Sequence, residues 1–392
     1  MKLTHGGRSS ARRGASPSRT VKRLGALAAL AVIALVTSGC SADEAMRFGW
    51  PEGVTPEAHD MRQFWQWSVI AALAMGVLVW GLIFWTITFH RRKRGGGLEE
   101  DFPRQTGYNV PLELAYTAIP FVLIAVLFYF TVIVQSNVEE KKDNPAVVVD
   151  VTAFQWNWKF GYNSVRLDGD VEGQGEQVIS SSEATKGSPF DLQVPDYHEH
   201  DGEKIDMSGP AGGRNDDVRD YLTFDKVETI GSSSEIPILV LPVDTRIEFR
   251  LAAADVVHSF WVPEFIYKRD VMPFPEQNHQ DPVFQISKID REGAFVGRCA
   301  EMCGTYHAMM NFEVRAVSKE TFADYIKLRK AAADKGETMT NAEALQAVCQ
   351  VPTSVVTLPF DTRRVSNQDA PKTIGDANNT AIAGCTTEGG NK

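Results

Sequence analysis

The sequence predicts two transmembrane helices, arranged as a hairpin, followed by an all-β domain outside the membrane. Two long apolar stretches, residues 64–89 and 114–138, contain no charged side chain. Each is long enough to cross a hydrocarbon core of ~30 Å. From residue 146 onward, short runs rich in β-branched and aromatic residues alternate with turn residues, which is typical of a β-sandwich or barrel.

The N-terminus has the pattern of an export signal. Several basic residues precede an apolar run, 24–36, which is too short to span a membrane comfortably. Thr37-Ser38-Gly39-Cys40 then resembles a bacterial lipobox with Cys40 as the lipidated residue, although Thr37 stands where Leu is usual. We therefore expect a lipoprotein-type signal peptide at 1–39 and an extracytoplasmic segment at 40–63. A plain signal peptide or a first membrane helix remains the alternative.

The charge distribution orients the hairpin. His90 is followed by the basic run Arg91–Arg92–Lys93–Arg94, directly after the first apolar stretch. The positive-inside rule places such a cluster in the cytoplasm. We expect transmembrane helices at 64–89 and 113–138, a cytoplasmic loop at 90–112, and everything from Glu139 onward outside the cell membrane.

The rest of the chain divides into a β domain, an insertion and a tail. The β domain is expected at 146–318. Within it, residues 163–235 are rich in Gly, Ser, Asp and Glu and are expected to form a surface loop. Residues 319–335 have a helical pattern, so 319–392 should form a C-terminal helix and a polar tail.

One short segment carries metal-binding chemistry. Cys299 and Cys303 are followed by His307 and Met310, and His258 is the best candidate for a second histidine. Thiolate, imidazole and thioether donors together select copper over hard cations, and two cysteines can bridge two copper ions. A disulfide between Cys299 and Cys303, or a zinc site, is the alternative. Neither alternative requires Met310, His258 or the membrane hairpin.

This segment resembles the binuclear copper A centre of cytochrome c oxidase subunit II, and the resemblance covers 64–317 except the insertion. It implies a cupredoxin-like β domain in which Cys299 and Cys303 bridge both coppers. His258 and His307 would each bind one copper. Met310 and the main-chain carbonyl of Glu301 would be weak axial ligands. The family spacing favours Met310 over the adjacent Met309. The Glu301 carboxylate would bind a Mg²⁺ shared with subunit I.

The same resemblance implies two further roles. Trp156, in an aromatic run, would be the residue through which the electron arrives, although a tryptophan in such a run is often core packing. Glu113, at the start of the second span, would lie at the cytoplasmic mouth of a proton pathway; otherwise it is an interfacial carboxylate. Asp255 belongs either to an acidic docking face or to a turn. Cys349 and Cys385, the cysteines left over, are expected to form a disulfide.

The resemblance implies a function in respiration. The chain would accept electrons from a cytochrome c and pass them to the haems of subunit I, where oxygen is reduced to water and protons are pumped. Subunits I and III and membrane lipid would be its partners. The sequence has no Cys-x-x-Cys-His haem motif, so the donor would be a separate cytochrome. The net charge of −10 argues against nucleic acid.

The lipobox, insertion and tail resemble those of actinobacterial aa-type oxidases in the cell membrane. In these oxidases the donor can be a membrane-bound c-type cytochrome of the bc complex, within a supercomplex. Three other protein classes fit less well. A quinol oxidase subunit would lack the copper ligands, and a stand-alone copper carrier would lack the hairpin and Glu113. The copper A domain of a nitrous-oxide-reducing enzyme would lack both spans.

Overall fold

The computed structural model describes residues 42–91, 107–167, 175–186, 197–200, 203–206, 221–359 and 375–385. The chain divides into two units, with the boundary after Gly49. In the first unit, the described residues form a short helix, α1 (Ala42–Met46). The second unit contains a helical hairpin, a β domain and a C-terminal segment.

The two helices of the hairpin, α2 (Pro56–Phe89) and α3 (Val110–Val138), are long and apolar enough to cross a membrane. Their large apolar side chains are mostly exposed in the single chain. Both helices begin with a side-chain cap followed by proline: Thr55 accepts from the Ala58 amide, and Asn109 accepts from that of Leu112. The fold class expected from the sequence, two membrane-length helices and a β domain, is confirmed.

Helix α2 begins eight residues before the apolar stretch that predicted it. Its first two turns carry Glu57, His59, Asp60 and Arg62, which the charge-free criterion excluded. At about 1.5 Å per residue, the 34-residue helix is roughly 50 Å long and exceeds the ~30 Å hydrocarbon core. The polar turns therefore extend beyond the apolar stretch toward the β domain.

These polar turns are bound to the β domain. The Val54 amide donates to the Glu264 carbonyl at 3.0 Å, and the Glu57 carboxylate accepts from the Ser287 amide at 2.9 Å. After α3, the Lys142 amide donates to the Gln285 side chain at 3.0 Å. Both ends of the hairpin thus contact the β domain, at Ser287 and at Gln285, which are two residues apart.

The β domain consists of two packed mixed sheets. The first has the order β13-β10-β1-β2-β3, with β8 also paired to β2, and the second has the order β12-β11-β14-β15-β9. β1 runs parallel to β10 and β9 parallel to β15, whereas the other pairs are antiparallel. Aromatic side chains fill the space between the sheets: Trp158, Phe160, Phe249, Phe260 and Phe312.

The strands of the first sheet are β1 (Val147–Phe154), β2 (Asn157–Leu167), β3 (Glu176–Ile179), β8 (Glu228–Ile230), β10 (Ile247–Ala253) and β13 (Val283–Ile286). Those of the second sheet are β9 (Ile238–Pro242), β11 (His258–Val262), β12 (Tyr267–Val271), β14 (Gly293–Cys299) and β15 (Asn311–Val317).

The insertion differs from the expected surface loop. Its described residues include two strands, β3 and β8, that pair with β2 and so extend the first sheet. Two short pairs lie between them: β4 (Thr185–Lys186) with β7 (Thr223–Phe224), and β5 (Tyr197–His200) with β6 (Glu203–Asp206). The insertion therefore begins and ends as part of the β domain.

The C-terminal segment packs on the same domain. Helix α4 (Lys319–Asp334) buries Phe322, Tyr325 and Ile326, and α5 (Asn341–Ala347) follows it. Buried Arg315 donates to the carbonyls of Val351 and Thr353, which attaches the chain after α5 to β15. A disulfide joins Cys349 to Cys385.

Candidate metal centre

The loop between β14 and β15 closes one end of the sandwich. Cys299 is the last residue of β14, and its amide donates to the Met310 carbonyl at 3.1 Å, which closes the base of the loop. A short 3₁₀ helix, His307–Met309, completes it. His258 opens the neighbouring strand β11, where the Ala300 amide donates to the Ser259 carbonyl. Sheet pairing therefore brings His258 beside a loop forty residues later.

Three donor side chains and one main-chain carbonyl converge on the two cysteines. The Cys299 and Cys303 Sγ atoms are 3.7 Å apart. His258 Nδ1 lies 3.8 Å from Cys299 Sγ, and His307 Nδ1 lies 3.5 Å from Cys303 Sγ. Met310 Sδ is 3.8 Å from Cys303 Sγ, and the Glu301 carbonyl oxygen is 3.2 Å from Cys299 Sγ. Each cysteine thus has a histidine of its own, and one weak donor lies beside each sulfur.

The adjacent methionines differ in position. Met310 is 1% exposed and faces Cys303, whereas Met309 is 41% exposed on the surface. The geometry therefore favours Met310 as the thioether donor, as the family spacing implies.

The two thiols differ electrostatically in the metal-free chain. Burial opposes ionisation of Cys299, but the hydrogen bonds from His258 and main-chain groups outweigh it and lower its pKa to about 6. Burial and the neighbouring charge of Cys299 raise the pKa of Cys303 to about 12. Cys299 is thus the thiol that ionises first, and a cation between the sulfurs would favour ionisation of both.

The donor set fits copper. Both cysteines are free and buried, and with His258 they form a cluster whose ligand atoms all lie within 4.8 Å of one another. Two thiolates, two imidazoles and a thioether are soft or borderline donors, which suits copper better than Mg²⁺ or Ca²⁺. The separation of the sulfurs leaves the thiols unbonded to each other and able to share metal ions.

Trp156 lies against the same loop. Its indole Nε1 donates to the Cys303 carbonyl at 3.0 Å, and its ring meets Tyr306 edge-on at 4.9 Å. Gly304 has a φ of +114°, and a Cβ there would lie 3.2 Å from Gln155 Nε2 and Trp156 Nε1. Glycine therefore permits both the backbone conformation and the close approach of the β1–β2 turn.

The remaining predicted residues lie apart from this cluster. The carboxylate of Glu301 is partly exposed and is 3.9 Å from Lys268 Nζ. Glu113 is in the first turn of α3, where its carboxylate accepts from the Asn109 amide at 2.9 Å. Cys349 and Cys385 are bonded to each other in the C-terminal segment. Cys40 lies outside the described residues.

Two contacts of the cluster did not emerge from the sequence. Asp255 hydrogen-bonds His258 Nε2 at 2.8 Å, and the Gln155 side chain donates to the Cys303 carbonyl at 2.7 Å. The spacing of Asp255, three residues before His258, was a local signal for the first contact. Gln155 is distant in sequence, and only the fold brings it to the loop.

Comparison with known proteins gives concordant results. A family model for the periplasmic domain of cytochrome C oxidase subunit II matches residues 230–317. "Probable cytochrome c oxidase subunit 2" of Nocardia farcinica is 56% identical over 359 residues, covering 90% of this chain and 92% of that protein. "Cytochrome c oxidase subunit 2" of Mycobacterium bovis is 51% identical over 360 residues, covering 92% and 94%.

A third relative and a solved structure extend the comparison. "Cytochrome c oxidase subunit 2" of Corynebacterium glutamicum is 46% identical over 344 residues, covering 85% of this chain and 89% of that protein. The periplasmic domain of subunit II of cytochrome oxidase of Bradyrhizobium japonicum has 20% identity and a TM-score of 0.27, over 48% of this chain and 95% of that one.

The three relatives match this chain through the hairpin and the β domain alike, since each alignment covers at least 85% of it. The family match includes every residue of the donor set, from His258 to Met310. The chain therefore belongs to the cytochrome c oxidase subunit 2 family.

Proposed function

We propose that this chain is the electron-accepting subunit of a haem–copper oxidase in a bacterial cell membrane. The observation that carries the proposal is the paired donor set: each of two buried thiols 3.7 Å apart has its own histidine. A single-copper electron-transfer site uses one cysteine, two histidines and a weak axial methionine, which would leave the second buried thiol without a role. The duplication favours a two-copper centre held by Cys299, Cys303, His258 and His307, with Met310 and the Glu301 carbonyl as weak donors.

When bound, the two coppers supply a reversible one-electron carrier. The chain's residues hold that carrier in a fixed position: the loop is closed at its base by the Cys299–Met310 main-chain hydrogen bond, and β11 fixes His258. Cys299, Cys303, Met310 and His258 are all buried, so water is largely excluded from the donors. This is a site for passing electrons, and oxygen reduction belongs to a partner subunit.

Trp156 is the proposed arrival point for the electron. Its side chain is partly exposed, and its indole hydrogen-bonds the main-chain carbonyl of Cys303, one of the residues that would hold the copper ions. It therefore offers a short, bonded route from the surface to the main chain of Cys303, whose sulfur belongs to the donor set. The donor is proposed to be a cytochrome c or a membrane-bound c-type cytochrome of the bc complex.

The proposed topology places the β domain outside the cell membrane and Glu113 on the cytoplasmic side. The basic run after α2 supports this orientation through the positive-inside rule. Glu113 then stands at the start of α3, where it is proposed to mark the entrance of a proton pathway into subunit I. Replacing Glu113 with Gln should slow proton uptake in the purified oxidase while electron arrival at the copper centre stays unchanged.

The proposed partners are oxidase subunits I and III, whose surfaces would cover the exposed apolar faces of α2 and α3. Glu301 is proposed to bind a Mg²⁺ shared with subunit I through its carboxylate, and Cys40 to carry lipid. The insertion, 163–235, is proposed to contact the donor within a supercomplex. Deleting its central residues, 187–220, without loss of assembly or electron transfer would refute that last role.

The copper proposal is tested with the full-length chain, purified in detergent and loaded with copper. EPR of the oxidised protein should show hyperfine structure from one electron shared by two copper nuclei, with two coppers bound per chain. Replacing Cys303 with Ser should convert the signal to that of a single copper. A mononuclear signal from the native chain, or no copper uptake, would overturn the proposal.

A further inference from the structure

Asp255 lies in the turn between β10 and β11 and binds three donors at once. Its carboxylate accepts from the amides of Gln155 and Val256, both at 2.7 Å, and lies 2.8 Å from His258 Nε2. A carboxylate with this many partners has a fixed orientation.

That orientation decides which nitrogen of His258 is available to metal. A neutral imidazole has one protonated and one unprotonated nitrogen. In the metal-free chain, a proton on Nδ1 hydrogen-bonds Cys299 Sγ, 3.8 Å away. When a metal takes the place of that proton, the remaining proton is on Nε2, from which the ring donates to Asp255, and the lone pair of Nδ1 is left for the metal. The ring itself is fully buried, with Trp158 as an aromatic neighbour.

Gln155 joins this arrangement to the opposite half of the site. Its main-chain amide donates to Asp255, while its side-chain amide donates to the Cys303 carbonyl at 2.7 Å. One residue of the β1–β2 turn thus contacts both the carboxylate that holds His258 and the loop that carries Cys303. The two halves come from β11 and from the β14–β15 loop, and no covalent link sets their separation.

We propose that Asp255 is a positioning residue of the copper centre, which fixes the tautomer and rotation of His258, and that Gln155 couples it to Cys303. The inference rests on the proposed two-copper function. It assigns Asp255 a role distinct from a docking face or a turn. The negative charge of Asp255 should also favour the oxidised centre and so lower its reduction potential.

The test compares variants of the full-length, copper-loaded chain. Asp255→Leu removes the acceptor. Asp255→Asn keeps an oxygen that accepts from Nε2–H, but it removes the charge and the bond from the Gln155 amide. Gln155→Leu removes only the bond to the Cys303 carbonyl. Asp244→Asn and Gln346→Leu are the matched controls, since both residues are exposed and lie outside the metal cluster.

The decisive readout is the pair of histidine nitrogen hyperfine couplings, measured by pulsed EPR, together with copper affinity and reduction potential. Asp255→Leu should change one of the two couplings and lower copper affinity by about 10–100-fold. Asp255→Asn should recover both couplings while its potential stays above that of the native chain. Gln155→Leu should perturb the copper hyperfine pattern with both histidine couplings retained.

Two outcomes would overturn the inference. One is an Asp255→Leu chain whose couplings and affinity equal those of the native chain. The other is an Asp255→Asn chain as defective as Asp255→Leu, which would show that the acceptor oxygen does not matter. A native chain without the two-copper signal would instead refute the proposed function itself. If Asp255 served only in docking, its variants would change the kinetics with a donor cytochrome and leave all three readouts unchanged.

Discussion

The indole nitrogen of Trp156 donates to the main-chain carbonyl of Cys303, so a partly exposed aromatic ring is bonded to the metal-binding loop. Replacing Trp156 with Phe removes this donor but keeps an aromatic ring beside Tyr306. We expect electron transfer from a reduced cytochrome to slow by about 10-fold or more, with two coppers still bound. Stopped-flow kinetics of the purified oxidase measures the first effect, and metal analysis the second. An unchanged rate would contradict the proposed role of Trp156.

Gly304 provides a second test of how closely the turn approaches the loop. Gly304→Ala adds a Cβ 3.2 Å from Gln155 and Trp156, at a φ of +114°. We expect a loss of about 1–3 kcal/mol in the free energy of unfolding, because both the backbone and the contacts are strained. Gly336→Ala is the matched control: its φ is +71°, and among the described residues no atom lies within 4 Å of the added Cβ. Thermal unfolding should show a larger loss at Gly304.

Asp225 should make the stability of the β domain depend on pH. Burial and the charges of Asp150 and Glu228 raise the pKa of Asp225 from 3.8 to about 8, despite Lys159 nearby. Between these two values the folded chain binds more protons than the unfolded chain, so stability should fall as the pH rises from about 4 to 8.

The variant Asp225→Asn should not become less stable in this way as the pH rises, because an amide does not ionise. Its melting temperature should exceed that of the native chain by a margin that grows between pH 5 and pH 8. Circular dichroism at a series of pH values measures the margin, with Asp244→Asn as a surface control. A margin that shrinks as the pH rises would contradict the assignment.

Removing one partner of the buried ion pair between Glu313 and Arg315 should reduce the free energy of unfolding more than removing both. Both side chains are fully buried, and the Glu313 carboxylate also accepts from the Ser354 hydroxyl and the Val355 amide. Arg315→Met leaves a buried, unpaired carboxylate, which should cost about 3–5 kcal/mol. The double variant Glu313→Gln, Arg315→Met should recover part of this loss in urea unfolding. Equal losses in both variants would show that the charge is not the cause.

The disulfide between Cys349 and Cys385 closes a segment with a sequence separation of 36 residues. In the chain-entropy description, replacing both cysteines with Ala should cost roughly 4 kcal/mol. The bond lies in the C-terminal segment, so the EPR signal of the copper-loaded chain should not change. A changed signal would show that the tail influences the metal site.

The candidate site was more predictable than the fold around it. Cys299, Cys303, His307 and Met310 are neighbours in sequence, so their spacing alone indicated a common site. His258 reaches the site only because β11 pairs with β14. It could still be predicted from the sequence, because the site needs a second histidine. The bonds from Gln155 to Asp255 and to Cys303 depend on how two turns meet, and nothing in the local sequence encodes that meeting.

The strands of the insertion illustrate the opposite case. Glu176–Ile179 and Glu228–Ile230 are short and polar, and they lack the alternation that identifies a half-buried strand. They form because β2 extends to Leu167 and offers them free main-chain groups. A neighbouring strand, rather than their own composition, makes them β-structure. The sequence pattern did not predict the polar start of α2 for a related reason. These residues are held by contacts with the β domain rather than by an apolar surface of their own.

The attachment of the hairpin to the β domain at Glu57 and at Lys142 has a mechanical consequence. A domain on one flexible linker samples many orientations and must give up that freedom when it binds. Two attachment points remove this orientational freedom before binding, so the domain keeps one orientation relative to the helices. A partner that recognises the helices therefore meets the metal loop at a preset height and angle.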